Sequence, residues 1–213
     1  MELFRKSIGR AAEIEGVERG FNNLARATGF STKAFEKFSK ATNRTIDNLT
    51  LMKQANNAML LGITDSEDQM AQMFDIAQRL GQSLGIDTVQ SIESLVTGLG
   101  RQSKLMLDNL GIMVDGGRAN EDYAESIGKS VSQLTDQERK QAFVNAAMEE
   151  ANFLVSQLGS EQLTTKDSIA QMNTALLESV TAFGNLLLPL VIPLAKGLGF
   201  VAEKASALFD IVS

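Results

Sequence analysis

Apolar residues recur every three or four positions along most of this sequence, which is the spacing of one face of an α-helix. The first such run extends from Glu2 to Ala27 and ends before Gly29. Ser31 is a candidate N-cap for a second helix, which the pattern carries without a break to Leu61. Strict alternation of apolar and polar residues, the pattern of a half-buried strand, is nearly absent. The sequence therefore predicts an all-α protein, with several amphipathic helices joined by short glycine-containing loops.

Polar capping residues mark where the later helices begin. Two segments match the capping box: Thr64-Asp65-Ser66-Glu67 and Thr135-Asp136-Gln137-Glu138. In this motif the hydroxyl of the first residue accepts from the backbone amide of the fourth residue, and the carboxylate of the fourth accepts from the backbone amide of the first. The apolar face of the first of these helices runs from Met70 to Leu84. Asp115-Gly116-Gly117 is instead a turn signal. The predicted helical segments in this part of the chain are Thr64 to Gly85, Asp87 to Gly98, Lys104 to Leu110, Tyr123 to Ile127, and Thr135 to Gly159.

A last helical pattern begins at Thr164 or Thr165 and leads into an apolar segment, Ser179 to Val201, that contains both prolines of the chain. The segment falls somewhat short of the ~20 apolar residues that a membrane span requires. Each proline removes an amide donor and bends a helix. We therefore predict a proline-bent apolar helix near the C-terminus, acting as a hinge or a membrane-seeking segment. Its residues are Leu186, Leu187, Leu188, Pro189, Leu190, Val191, Ile192, Pro193 and Leu194.

Two stretches carry apolar residues at near-heptad spacing, which is typical of helices that associate along a seam. A coiled coil between copies and packing against the chain's own helices both fit this pattern. The residues of these two candidate self-association or partner-binding surfaces are Phe35, Phe38, Leu49, Met52 and Met59, and Ile169, Met172, Leu176, Val180, Phe183 and Leu187.

Charge divides the chain unevenly. Up to Leu60 it has ten Lys and Arg against six acidic residues, whereas Leu61 to Glu150 has seven against fifteen. We predict three regions: 1–61 with long helices and a possible coiled-coil seam, 62–160 as an acidic multi-helix body, and 161–213 with the last long helix and the apolar segment. The cations are not clustered in the way that phosphate binding requires, so no sequence-specific nucleic-acid binding is expected.

Residues that could carry catalysis are scarce. The chain has no Cys and no His, which removes thiolate and imidazole chemistry and most zinc sites. Gly128-Lys129-Ser130 lacks the earlier glycine and the preceding strand of a phosphate-binding loop. The acidic stretch from Asp115 to Glu125 has Asn120 where a calcium loop needs glycine. We therefore predict that the protein is not an enzyme and needs no cofactor or metal.

Several ordered helix-and-turn segments, spread from Ile46 to Phe200, carry a family resemblance. The Leu-Asp-Asn-Leu-Gly-Ile run that ends at Ile112 is the most specific of them. The full set is Asn56 to Ile63, Met70 to Ala77, Leu84 to Asp87, Leu95 to Arg101, Leu105 to Ile112, Phe183 to Leu186 and Leu190 to Leu194. Together these segments resemble the tail tape measure proteins of tailed bacteriophages.

The resemblance implies a structural virion protein inside the tail tube or at its tip, assembled in the host cytoplasm. Such a protein sets tail length during assembly and leaves the tail during genome ejection. Its implied partners are other copies of itself, with a trimer expected from tail symmetry, the tail-tube and tail-tip or hub proteins, and the host membrane during ejection. We expect this chain to be a folded-back helical fragment of a longer protein. Two alternatives remain: a membrane-inserting or pore-forming helical protein, and a cytosolic coiled-coil adaptor.

Overall fold

A computed structural model of the chain describes residues 2–159, 164–182 and 185. Within those ranges the regular structure is helical and contains no strand, so the predicted all-α class is confirmed. The predicted proline-bent helix lies outside the described residues. The helices are α1 (Glu2–Thr28), α2 (Ala34–Ala41), α3 (Asn48–Leu60), α4 (Glu67–Leu84), α5 (Thr88–Gly100), α6 (Lys104–Asp108), α7 (Gly116–Ser126), a short 3₁₀ helix (Val131–Gln133), α8 (Asp136–Gln157) and α9 (residues 165–182).

The chain forms two compact units. The larger unit is Val17–Thr174, and the smaller one combines Met1–Gly16 with Ala175–Ser213. In the smaller unit, Arg10 Nε donates a hydrogen bond of 3.1 Å to Thr181 Oγ1. The buried Thr181 hydroxyl also donates to the carbonyl of Leu177, one turn earlier. The region boundaries predicted at residues 61 and 160 both fall within the larger unit.

Helix α4 is central to the core of the larger unit, where it packs against α2, α5 and α8. Its inward face places Met70, Met73 and Phe74 out of contact with solvent. Phe38 of α2 meets Phe74 edge to face, with ring centroids 5.5 Å apart. This geometry is favourable because the positive edge of one ring lies against the negative face of the other.

Caps formed by side chains explain where α8 and α5 begin. The capping box predicted at Thr135 is confirmed: its hydroxyl accepts from the amide of Glu138, whose carboxylate accepts from the amide of Thr135. Lys129 also pairs with Glu138, and these contacts lower the pKa of that carboxyl to about 2. Asp87, where the sequence predicted the start of the next helical segment, caps α5 by accepting from the amide of Val89. Local sequence was sufficient for these starts.

The single helix predicted from Ser31 to Leu61 is wrong, because residues 42–47 interrupt it. Asn43 and Arg44 have φ angles of 49° and 55°, in the left-handed region that ends a helix. The hydroxyl of Thr42 donates to the carbonyl of Phe38 at 3.2 Å, so it provides a hydrogen bond for a backbone carbonyl in the last turn of α2. Asp47 then caps α3 by accepting from the amide of Thr50. Short polar side chains that bond the local backbone compete here with helix continuation.

The capping box predicted at Thr64-Asp65-Ser66-Glu67 is also wrong. Ser66 is the N-cap of α4, and its hydroxyl accepts from the amide of Gln69. The Glu67 carboxylate instead accepts from the amide and hydroxyl of Ser31 and pairs with Lys37. Ser31 correspondingly belongs to a turn before α2 and does not cap it. The Glu67 carboxylate therefore makes a tertiary contact instead of the local capping bond that the sequence motif predicted.

Helix α7 begins where the sequence predicted a turn. Asp115 is its N-cap and accepts from the amides of Gly117 and Arg118, so Gly116 and Gly117 both lie within the first turn.

The predicted inward position of Leu84 is likewise wrong, since that side chain is 53% exposed. It is the last residue of α4, beyond the stretch that α5 and α8 cover.

Candidate partner-binding surfaces

The first predicted seam is covered by the chain's own helices. Phe38, Leu49, Met52 and Met59 are all buried, and Phe35 packs at the edge of the same core. These side chains are therefore not exposed for contact with another copy in this fold. Of the two arrangements that the spacing allowed, intramolecular packing is the one observed for this stretch.

The start of α9 is fixed by a buried carboxylate. Asp167 is 4% exposed, and its Oδ2 accepts from the amide and hydroxyl of Thr164, both at 2.7 Å. Its Oδ1 accepts from Gln82 of α4 at 2.8 Å. One turn later, Gln171 donates to the carbonyl of Asn43 at 2.7 Å. These polar contacts hold the first turns of α9 in the larger unit, and they confirm the start predicted at Thr164 or Thr165.

The opposite face of α9 carries an exposed apolar stripe, which consists of Ile169, Met172 and Leu176. These side chains are 52%, 57% and 59% exposed. Their spacing of three and four residues places them on one face of the helix. Val180, the next predicted position, is half-buried. Phe183, Leu187 and the predicted hinge or membrane residues at 186–194 lie outside the described part of the chain. The second predicted seam is thus exposed from Ile169 to Leu176 and half-buried at Val180.

Sequence interpretation missed a second apolar surface, which we call the α6–α8 groove. Its most exposed apolar side chains are Leu105 of α6, Met113 of the following loop, and Phe153 of α8, at 76%, 77% and 58% exposure. Two adjoining clefts of about 750 and 510 Å³ share Met113, Val114 and Asp115 as lining residues. An available signal was Phe153, a large aromatic residue placed off the inward face defined by Phe143 and Ala147.

The α6–α8 groove has an acidic rim. Five carboxylates and two cations line its two clefts. Arg118 already pairs with Asp122 on the same helix, at 3.6 Å. Glu149 and Glu150 both line the second cleft, and neither makes an ion pair with another described residue. The acidic lining residues are Asp108, Asp115, Asp122, Glu149 and Glu150, and the basic ones are Lys104 and Arg118.

Other predicted chemistry can be placed in the structure as well. Lys129 pairs with Glu138, and the amide of Ser130 donates to Gln133, so both residues take part in local caps. The described residues contain no cluster of three or more acidic side chains arranged to hold a metal ion. None of the described helices is long and apolar enough to cross a bilayer.

Comparison with known proteins adds no assignment to these surfaces. No protein-family model matches the chain, and no solved structure matches it significantly. The functional argument therefore rests on the fold, on the α9 stripe and on the α6–α8 groove.

Proposed function

We propose that this protein is a structural component of a bacteriophage tail, of the tape measure class, that acts through association with copies of itself and with tail proteins. The proposal starts from the ordered helix-and-turn segments that resemble that family. The all-α fold is consistent with it. Helices α2 to α8 pack around one core and do not lie end to end. A protein that sets tail length in proportion to its number of residues would need extended helices, which rise about 1.5 Å per residue. We therefore assign this chain to a folded-back region of such a protein.

The observation that carries the proposal is the α9 stripe. Asp167 and Gln171 hold one face of α9 to the larger unit. The opposite face presents Ile169, Met172 and Leu176 to solvent. Exposed apolar side chains in a row are unfavourable for a monomer, and in proteins they mark surfaces that partners cover. The near-heptad spacing of these residues matches the seam of helices that associate side by side.

Tail particles provide the direct test of this function. We expect mass spectrometry of tails purified from the phage or prophage that encodes the chain to detect its peptides in stoichiometric amounts. An in-frame deletion of α7 should alter tail assembly. It should not shorten the tail by the length of the deleted 11-residue helix. Tails of normal structure that lack these peptides would overturn the proposal.

The α9 stripe can be tested on the isolated protein. We expect Met172→Glu with Leu176→Glu to weaken self-association at least about tenfold, because two apolar side chains would otherwise be buried at the contact. Sedimentation equilibrium over a range of concentrations measures the effect. The matched control is Ala175→Glu with Ala182→Glu, which adds the same charge at two exposed alanines about a quarter turn away on α9.

The control separates surface contact from net charge. If both double variants weaken association equally, repulsion alone explains the loss and the α9 stripe is not the contact. If the parent chain is monomeric throughout and causes leakage from liposomes, the membrane-inserting alternative replaces the tape measure proposal.

A further inference from the structure

We propose that the α6–α8 groove binds the basic N-terminal part of α1 from a second copy of this chain. The proposed contact is distinct from the α9 stripe. It would join unlike surfaces of two copies, head to tail, and so could extend beyond a closed dimer. The apolar floor of the groove, its acidic charge and the basic charge of its proposed occupant all favour this contact.

The floor of the groove needs an apolar partner. Leu105 and Met113 are each more than three-quarters exposed, while their neighbours Leu107, Ile112 and Val114 are buried in the core. The backbone is therefore held in place while the outward side chains have no cover within the described chain. Rigid apolar anchors beside a cleft are typical of surfaces that receive side chains from a partner helix.

The rim of the groove selects the charge of that partner. Its acidic side chains outnumber its basic ones by five to two, and the pair of Arg118 with Asp122 leaves four acidic side chains against one basic side chain. Glu149 and Glu150 lie on the same helix as Phe153, next to the apolar floor. A complementary ligand is thus a helix that combines apolar residues with several cations, since like charges at a rim repel a wrong partner.

The chain itself contains such a helix. Residues 3–10 of α1 read Leu-Phe-Arg-Lys-Ser-Ile-Gly-Arg, with three cations and no acidic residue. This segment belongs to the basic part of the chain, and the groove belongs to the acidic part. Because the two surfaces differ, their association is heterologous: it produces a ring if the rotation between copies closes and a filament if it does not.

Charge reversal on both sides tests the contact. The background is Met172→Glu with Leu176→Glu, so that association through α9 is removed and failure of that proposal remains separate. In this background, Glu149→Lys with Glu150→Lys and, separately, Arg5→Glu with Lys6→Glu are each expected to weaken association at least about tenfold. Combining all four reversals in one chain should restore association. Sedimentation equilibrium again provides the measurement.

A matched control is Glu121→Lys with Glu125→Lys, which reverses two exposed acidic residues of α7 outside the groove. It should leave association unchanged at constant ionic strength. The proposal is overturned if the control weakens association as strongly as the groove variant, or if the combined variant fails to recover. It is also overturned if the background protein is monomeric at every concentration.

Discussion

Replacing Phe38 by Ala is expected to lower the free energy of unfolding by about 3–5 kcal/mol, the range for removing a fully buried aromatic side chain. Phe38 has no exposed surface. Its ring lies edge to face against Phe21, Phe30 and Phe74, at centroid distances of 6.4, 6.1 and 5.5 Å. The substitution would leave a cavity where α1, α2 and α4 meet, and it would remove three favourable ring contacts at once.

Denaturant unfolding of the whole chain, followed by circular dichroism, measures this effect. Phe153→Ala is the matched control at protein concentrations low enough to keep the chain monomeric, because it removes the same atoms from a side chain that is 58% exposed. We expect the control to change stability by well under 1 kcal/mol, as is usual for exposed positions. Equal losses in the two variants would mean that Phe38 does not occupy the centre of the core.

Helix class and most helix starts could be predicted, because the signals are local: an apolar period, a capping side chain and a following glycine. Thr135 with Glu138 is an example in which every interacting atom lies within four residues. Such a cap needs little support from the rest of the molecule.

Two of the errors involve contacts with residues that are distant in the sequence. The carboxylate of Glu67 fits a capping box by sequence, yet Ser31 and Lys37 bind it from another element. The break at Asn43 and Arg44 likewise coincides with a tertiary contact, since Gln171 of α9 donates to the carbonyl of Asn43. No spacing rule within a single helix includes these partners.

The two surfaces illustrate the same distinction. The α9 stripe lies on one helix, so its heptad-like spacing was visible in the sequence. The α6–α8 groove combines Leu105, Met113 and Phe153 from three separate elements. Each of these residues is ordinary in its own segment, and only the packing of α7 against α8 brings their surroundings together. Surfaces of this kind follow from tertiary structure and not from periodicity.

Replacing Gly81 by Ala is expected to destabilise the protein by about 1 kcal/mol, although alanine is the better helix former. A Cβ atom at Gly81 of α4 would lie 1.9 Å from Ser91 Oγ and 2.8 Å from Ser91 Cβ. The hydroxyl could rotate away, but the Cβ of Ser91 is fixed to the backbone of α5, so the two helices must move apart. Overpacking of this kind costs about 1–3 kcal/mol, and it opposes a gain in helix propensity of up to about 1 kcal/mol.

Gly20→Ala in α1 is the matched control, because its added Cβ meets only Asn56 Nδ2, at an ordinary contact distance of 3.5 Å. There the propensity gain should dominate, and stability should rise by up to about 1 kcal/mol in the same denaturant measurement. Ser91→Gly should cost less stability in the Gly81→Ala background than in the parent chain, since only there does it remove an opposing Cβ. If Gly81→Ala instead stabilises the protein as much as Gly20→Ala does, α4 and α5 do not approach closely at Ser91. The buried face of α5 would then have to be placed differently against the core.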